Sequence, residues 1–123
     1  MADILIVDDS APFQQTLKRI LLSRFPSVHI VGARDGEEAL EKTREETPRL
    51  IFMDVRLPGE NGFQITRKIK AAHPEIPVII MTSYDSSEYR EAAYDSGAVF
   101  FISKKSSTAT DIQTQVESIL FPG

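Results

Sequence analysis

The chain has 123 residues, a formal net charge of −4 and no cysteine. Its length is close to that of one average domain, so we expect a single domain over residues 1–123. The acidic balance disfavours direct binding of nucleic acid, which requires a basic surface, and the lack of cysteine excludes disulfides and thiolate chemistry. No apolar run approaches the roughly 20 residues that span a bilayer, so the sequence predicts a cytoplasmic protein that does not contact membranes.

Short apolar runs alternate with segments of helical periodicity along the whole chain. The runs are bounded by turn-forming residues, as is typical of strands that are buried on both faces of a sheet. The first half predicts a strand over 4–7, a helix from Ser10 to Pro26, a strand over 28–31, a helix from Asp35 to about Thr47, a strand over 50–53 and a helix that ends before Pro74. The second half predicts a strand over 78–81, a helix from about Ser86 to Ser96, a strand over 99–102 and a final helix that contains Ile112, Val116, Ile119 and Leu120.

The regular alternation of strand and helix determines the predicted fold class. It is typical of a parallel sheet that is covered by helices on both faces, with right-handed crossovers. We therefore expect an α/β protein with a doubly wound, five-stranded parallel sheet in the flavodoxin-like order 2-1-3-4-5. In that order the carboxyl ends of strands one, three, four and five are neighbours, and they share one crevice.

Polar and charged residues follow four of the five predicted strands. Asp8 and Asp9 follow the first strand and Asp54 the third, while Thr82 and Lys104 follow the fourth and fifth. Aspartates at strand ends also cap turns, but a whole set at one edge of the sheet disfavours that explanation. Clustered carboxylates need a cation, and ligands that are all oxygen favour Mg²⁺. A hydroxyl and an ammonium beside a carboxylate suit a phosphoryl group, for which Asp54 can be the nucleophile.

Four segments, in this order and at this spacing, match the motifs of a known family. They are ILIVDD at 4–9, LIFMDVRLPGENG at 50–62, VIIMTS at 78–83 and GAVFFISK at 97–104. Along essentially its whole length the chain resembles the receiver domain of two-component response regulators. The resemblance implies a phosphoprotein of phosphorelay signal transduction, a signalling domain rather than an enzyme. Its partners would be a sensor histidine kinase or phosphotransfer protein and a downstream protein or an output domain that this chain lacks.

The resemblance also implies a phosphoacceptor and a set of metal ligands. Asp54 would accept the phosphoryl group from a phosphohistidine and become an aspartyl phosphate. Asp9, Asp54 and the main-chain carbonyl of Arg56 would bind Mg²⁺, and Asp8 would assist largely through water.

The resemblance also implies residues that contact the phosphoryl group and residues that transmit its presence to the surface. Thr82 and Lys104 would contact the phosphoryl oxygens, Lys104 being preferred to Lys105 for its place after the fifth strand. Thr82 and Phe101 would form a switch in which the ring turns inward and changes the surface of helix 4, strand 5 and helix 5. Many receivers have proline after this lysine, and Lys105 at that place leaves the geometry of the loop open.

In the family's geometry two side chains flank the path of the water that hydrolyses the aspartyl phosphate. Here they are Arg56 and Tyr84, a long cation and a broad ring, so we expect a comparatively long-lived phosphoryl group. Two other interpretations are weaker. A flavin carrier would not place Asp8 and Asp9 where phosphate binds, and a degenerate receiver that serves as a binding scaffold normally lacks an acidic or lysine position that this chain retains.

Overall fold

Strands and helices alternate through residues 2–123, the part of the chain that the computed structural model describes. In chain order they are β1 (Ile4–Val7), α1 (Ala11–Arg24), β2 (Ile30–Ala33), α2 (Gly36–Glu46), β3 (Leu50–Asp54), α3 (Gly62–Ala72), β4 (Val78–Thr82), α4 (Ser87–Asp95), β5 (Phe100–Ser103) and α5 (Ala109–Leu120). The strands form a parallel five-stranded sheet in the order β2-β1-β3-β4-β5. The predicted fold class and strand order are confirmed.

Helices cover both faces of the sheet because successive strand residues point to opposite sides. Ile4 and Ile6 of β1 pack in a core with α1 and α5, whereas Leu5 and Val7 pack in a second core with α2, α3 and α4. The three central strands, β1, β3 and β4, are buried along their whole length. Within residues 2–123, no helix combines the length and the apolar character that crossing a membrane requires.

β2 begins later than the range 28–31 that the sequence predicts. The N–H of Val28 donates to the carbonyl of Phe25 at 3.2 Å, so this residue closes a turn after α1. Pairing with β1 starts at Ile30, which lies opposite Ile4. The apolar character of Val28 therefore reflects packing under the turn and not a place in the strand ladder.

β5 is also shifted along the chain, by one residue from the predicted range 99–102. Its last residue, Ser103, is buried and lies opposite Thr82 of β4. The N–H of Lys104 then donates to the carbonyl of Thr82 at 2.9 Å, so the pairing continues to the residue that follows the strand.

Gly62 lets α3 begin close to the end of β3. Its N–H donates to the carbonyl of Val55 at 2.9 Å, and a Cβ atom at this position would overlap the carbonyl oxygen of Asp54. The side chain of Asn61 caps the helix by accepting the N–H of Gln64 at 3.0 Å. The backbone that carries Asp54 is therefore packed directly against the start of α3.

Candidate functional site

The structure brings the three predicted carboxylates together at the carboxyl edge of the sheet. Asp8, Asp9 and Asp54 each offer an oxygen, and these oxygens lie within 4.8 Å of one another. This proximity follows from the register, because β1 and β3 are neighbours with Val7 opposite Met53. Asp8 and Asp54 are buried, whereas Asp9 is exposed.

Lys104 brings a positive charge to the two buried carboxylates. Its Nζ lies 2.6 Å from Oδ2 of Asp8 and 3.4 Å from Oδ2 of Asp54. The ammonium also lies 4.2 Å from the centre of the Phe13 ring, which places it between the start of α1 and the end of β3. The side chain of Lys105 is exposed, so of the two lysines Lys104 is the one in the site.

Asp8 is bound by protein groups on both oxygens, which sequence reasoning did not foresee. Oδ1 accepts the N–H of Ser10 at 2.8 Å, and Oδ2 accepts Lys104. The amide of Gln14 donates to the main-chain carbonyls of Asp8 at 2.7 Å and of Ala33 at 2.9 Å, and so fixes the ends of β1 and β2. No motif pointed to Gln14, whose only sequence signal is its place in the first turns of α1.

The pKa of Asp54 is raised from its ordinary value of 3.8 to about 6. The largest cause is burial, which removes water from the charged form, and the negative charge of Asp8 adds to it. The charge and hydrogen bond of Lys104, together with a hydrogen bond from the Arg56 backbone, act in the opposite direction. The carboxylate is therefore ionised for the most part at neutral pH, and poorly solvated, which suits a nucleophile.

Thr82 and Phe101, the predicted switch pair, are both buried at the end of the sheet. The hydroxyl oxygen of Thr82 accepts the N–H of Tyr84 at 3.1 Å. The ring of Phe101 is only 6% exposed, and the guanidinium carbon of Arg90 lies 4.8 Å from its centre. The ring is therefore shielded from solvent in this conformation, in part by Arg90.

The side chains of Arg56 and Tyr84 are in contact with each other, and both are exposed to solvent. The guanidinium carbon of Arg56 is 4.3 Å from the centre of the Tyr84 ring. Tyr84 packs on Tyr89 of α4 with 5.9 Å between ring centres, and Tyr89 packs edge-on against Phe63 of α3 at 5.8 Å. The sequence did not single out Tyr89 or Phe63, since single aromatic residues on helices are usually part of the core.

The chemistry of these groups fits magnesium. Among residues 2–123 the cluster consists of carboxylates alone, and hard oxygen ligands are those that Mg²⁺ prefers. Asp8 already binds Ser10 and Lys104, whereas the side chain of Asp9 has no hydrogen-bond partner within the described part of the chain. Asp9 is thus the carboxylate of the cluster with most capacity left for a cation, since Asp54 also accepts Lys104 and the Arg56 backbone.

A parallel sheet in this order, with an acidic cluster at the carboxyl ends of β1 and β3 and a lysine after β5, defines a receiver-type signalling domain. The family model described as the response regulator receiver domain matches residues 4–117, and the chain belongs to this family.

Similar proteins are both curated relatives and solved structures. The response regulator GacA of Pseudomonas viridiflava is 32% identical over 114 residues, which are 92% of this chain and 53% of GacA. A protein-glutamate methylesterase/protein-glutamine glutaminase of Methanococcus maripaludis is 38% identical over 120 residues, 95% of this chain and 33% of that protein. The receiver domain of NtrX from Brucella abortus superimposes with a TM-score of 0.87 at 30% identity and covers 98% of this chain and 100% of its own. The chain spans about half or less of the length of these two curated relatives.

Proposed function

We propose that residues 1–123 form one receiver domain that accepts a phosphoryl group on Asp54, with Mg²⁺ bound, from the phosphohistidine of a sensor histidine kinase or a phosphotransfer protein. One observation carries the proposal. A buried carboxylate with a raised pKa lies beside an ammonium at 3.4 Å and beside two further carboxylates. Phosphoryl transfer requires a nucleophile and positive charge around the transferred group. Asp54 provides the nucleophile and Lys104 one positive charge, and the clustered carboxylates favour binding of a metal cation as a second.

In the proposed step an Oδ atom of Asp54 attacks the phosphorus of phosphohistidine. A carboxylate oxygen–phosphorus bond forms while the phosphorus–nitrogen bond breaks, and the leaving imidazole takes up a proton from solvent. Lys104, which is paired with Asp8 and Asp54 before the reaction, donates to a phosphoryl oxygen, and the hydroxyl of Thr82 donates to another. Asp9, Asp54 and the main-chain carbonyl of Arg56 would hold Mg²⁺, which would supply further positive charge to the transferred group.

Formation of the aspartyl phosphate would then change the surface of α4, β5 and α5, which a downstream protein or an attached output domain would recognise. Support comes from the contacts at this face. Thr82 is bonded to the backbone of Tyr84 and Lys104, and therefore to the segments that lead into α4 and α5. Arg90 of α4 lies over Phe101 and pairs with Asp85 at 2.6 Å. If phosphorylation changed the hydrogen bonds of Thr82, the segment from Tyr84 to Asp85 could shift and alter the contact of Arg90 with Phe101. A local change in charge would then favour one of two conformations of this face.

The proposal predicts that the protein takes up one phosphoryl group from acetyl phosphate when Mg²⁺ is present. Intact mass spectrometry should detect the adduct in the parent and in Asp95→Ala, a control at an exposed carboxylate of α4, but not in Asp54→Ala. Omission of Mg²⁺ should abolish or strongly slow the reaction. If no adduct forms with acetyl phosphate and beryllofluoride does not bind, the proposal is wrong. Retained binding to a partner would then favour the scaffold alternative.

A further inference from the structure

The loop that follows β5 is closed by hydrogen bonds between two serines. The hydroxyl oxygen of Ser107 accepts the N–H of Ser103 at 3.2 Å, and the carbonyl of Ser103 accepts the N–H of Ser107 at 3.0 Å. The hydroxyl oxygen of Ser103 in turn accepts the N–H groups of Lys105 and Ser106, both at 3.3 Å. Ser103 is buried, with 6% of its surface exposed. Ser103 thus organises a five-residue turn, residues 103–107, through its N–H, its carbonyl and its side chain.

Lys104 lies inside this turn and is the residue whose position the turn determines. Its own N–H is bound to the carbonyl of Thr82 at 2.9 Å, so the backbone is fixed on the β4 side as well. The side chain, which is 14% exposed, then extends to Asp8 and Asp54. A lysine side chain has four rotatable bonds, and ordering it costs entropy. A fixed backbone at its base restricts the set of positions that the ammonium can reach.

We infer that Ser103 and Ser107 are positioning residues for the ammonium of Lys104 in phosphoryl transfer to Asp54. The inference rests on the proposed function. Neither serine touches the carboxylates, and each acts through the backbone on both sides of Lys104. The N–H of Lys105 is part of the arrangement, because proline at this position could not donate to the hydroxyl of Ser103.

The kinetic test measures the rate of phosphorylation by acetyl phosphate at fixed Mg²⁺. In that reaction a bond from an Asp54 oxygen to phosphorus forms while the bond to acetate breaks, and acetate leaves as the anion. The hydrogen bonds of this turn are partly buried, and loss of one corresponds to a factor of roughly three to ten. We therefore expect Ser107→Ala to be slower by about that amount, and Ser103→Ala, which loses two, by at least as much. Ser107→Thr, which keeps the hydroxyl, should restore the rate. Ser106→Ala is the matched control, because its exposed side chain makes no hydrogen bond within the described residues.

Coupling to the lysine separates positioning from general stability. In a Lys104→Ala background, Ser107→Ala should cause no further loss of rate, because the group that it positions is gone. Equal further loss in both backgrounds, or parent-like rates in both serine variants, would overturn the inference.

A second readout does not depend on phosphorylation. The ¹⁵N resonance of the Lys104 ammonium, paired with Asp8, should be resolved in the parent and in Ser106→Ala, and broadened or shifted in Ser107→Ala. If the parent takes no phosphoryl group, the proposed function fails, and with it the catalytic part of the inference. If the parent is phosphorylated but the Lys104 signal and the rate are unchanged in the serine variants, only the positioning role fails.

Discussion

Replacing Asp54 by asparagine should stabilise the protein when no metal is present. The pKa of this carboxyl group is raised from 3.8 to about 6, so the folded protein holds its proton more tightly than the unfolded chain does. Each unit of pKa corresponds to about 1.4 kcal/mol, and the ionised carboxylate therefore lowers the free energy of unfolding by about 3 kcal/mol at pH 7. Asparagine has nearly the same shape and no charge, so Asp54→Asn should recover up to about this amount.

The sign of the pH dependence follows from the raised pKa. The penalty in the parent is absent below pH 4, grows as the pH rises from about 4 to about 6, and is constant above that range. The stability difference between Asp54→Asn and the parent should thus be largest at pH 7.5 and much smaller at pH 4.5. Urea unfolding in EDTA at the two pH values measures it directly.

Asp9→Asn provides the matched comparison at the exposed member of the cluster. Because the three carboxylates repel one another, this variant should also raise the melting temperature without Mg²⁺. Asp9 is exposed and its repulsion is screened, so the gain should be smaller. In both variants most of the stabilisation by added Mg²⁺ should disappear. Equal stability of Asp54→Asn and the parent at pH 7.5, with no change in their difference at pH 4.5, would refute this account of the buried charge.

Two further predictions concern the phosphorylated protein. The double variant Arg56→Asn, Tyr84→Ala should lose its phosphoryl group roughly two- to fivefold faster than the parent, because loss of this exposed cation–π contact uncovers the site to water. The dephosphorylation rate, measured with the phosphodonor removed and Mg²⁺ fixed, tests this prediction. An unchanged rate would contradict it. Beryllofluoride should change amide hydrogen exchange within residues 82–105, and identical protection with and without it would leave Thr82 and Phe101 without a switching role.

The fold, and the set of residues that meet at the candidate site, were predictable from the sequence because both depend on the alternation of strands and helices. Strand order brings the ends of β1, β3, β4 and β5 together, so Asp8, Asp54 and Lys104 had to meet at one edge. The contacts that each of these residues makes could not be predicted from the sequence. Which carboxylate pairs with the lysine depends on side-chain directions, and the burial of Phe101 depends in part on how Arg90 of α4 packs over its ring.

The loop after β5 shows a second limit of sequence reasoning. Ser107 is a small polar residue in a run of similar ones, and no motif distinguishes it from Ser106, whereas Ser103 lies in the matched segment at 97–104 without any sign of its hydrogen bonds. Their hydrogen bonds arise from the conformation of the turn, which Lys105 leaves open at the level of sequence. The strand boundary also matters, because placing Ser103 inside β5 is what buries it.

The amide of Gln14 joins the ends of β1 and β2 by neutral hydrogen bonds, whereas the end of β5 is joined to β1 by the ion pair of Lys104 with Asp8. Dissolved salt has little effect on bonds between uncharged amides and carbonyls, and it screens buried ion pairs much less than exposed ones. The side chain of Asp8 is fully buried and that of Lys104 is only 14% exposed, so this ion pair is shielded from dissolved ions. Both links should therefore persist over a wide range of ionic strength, and the acidic edge should keep its geometry from β2 to β5.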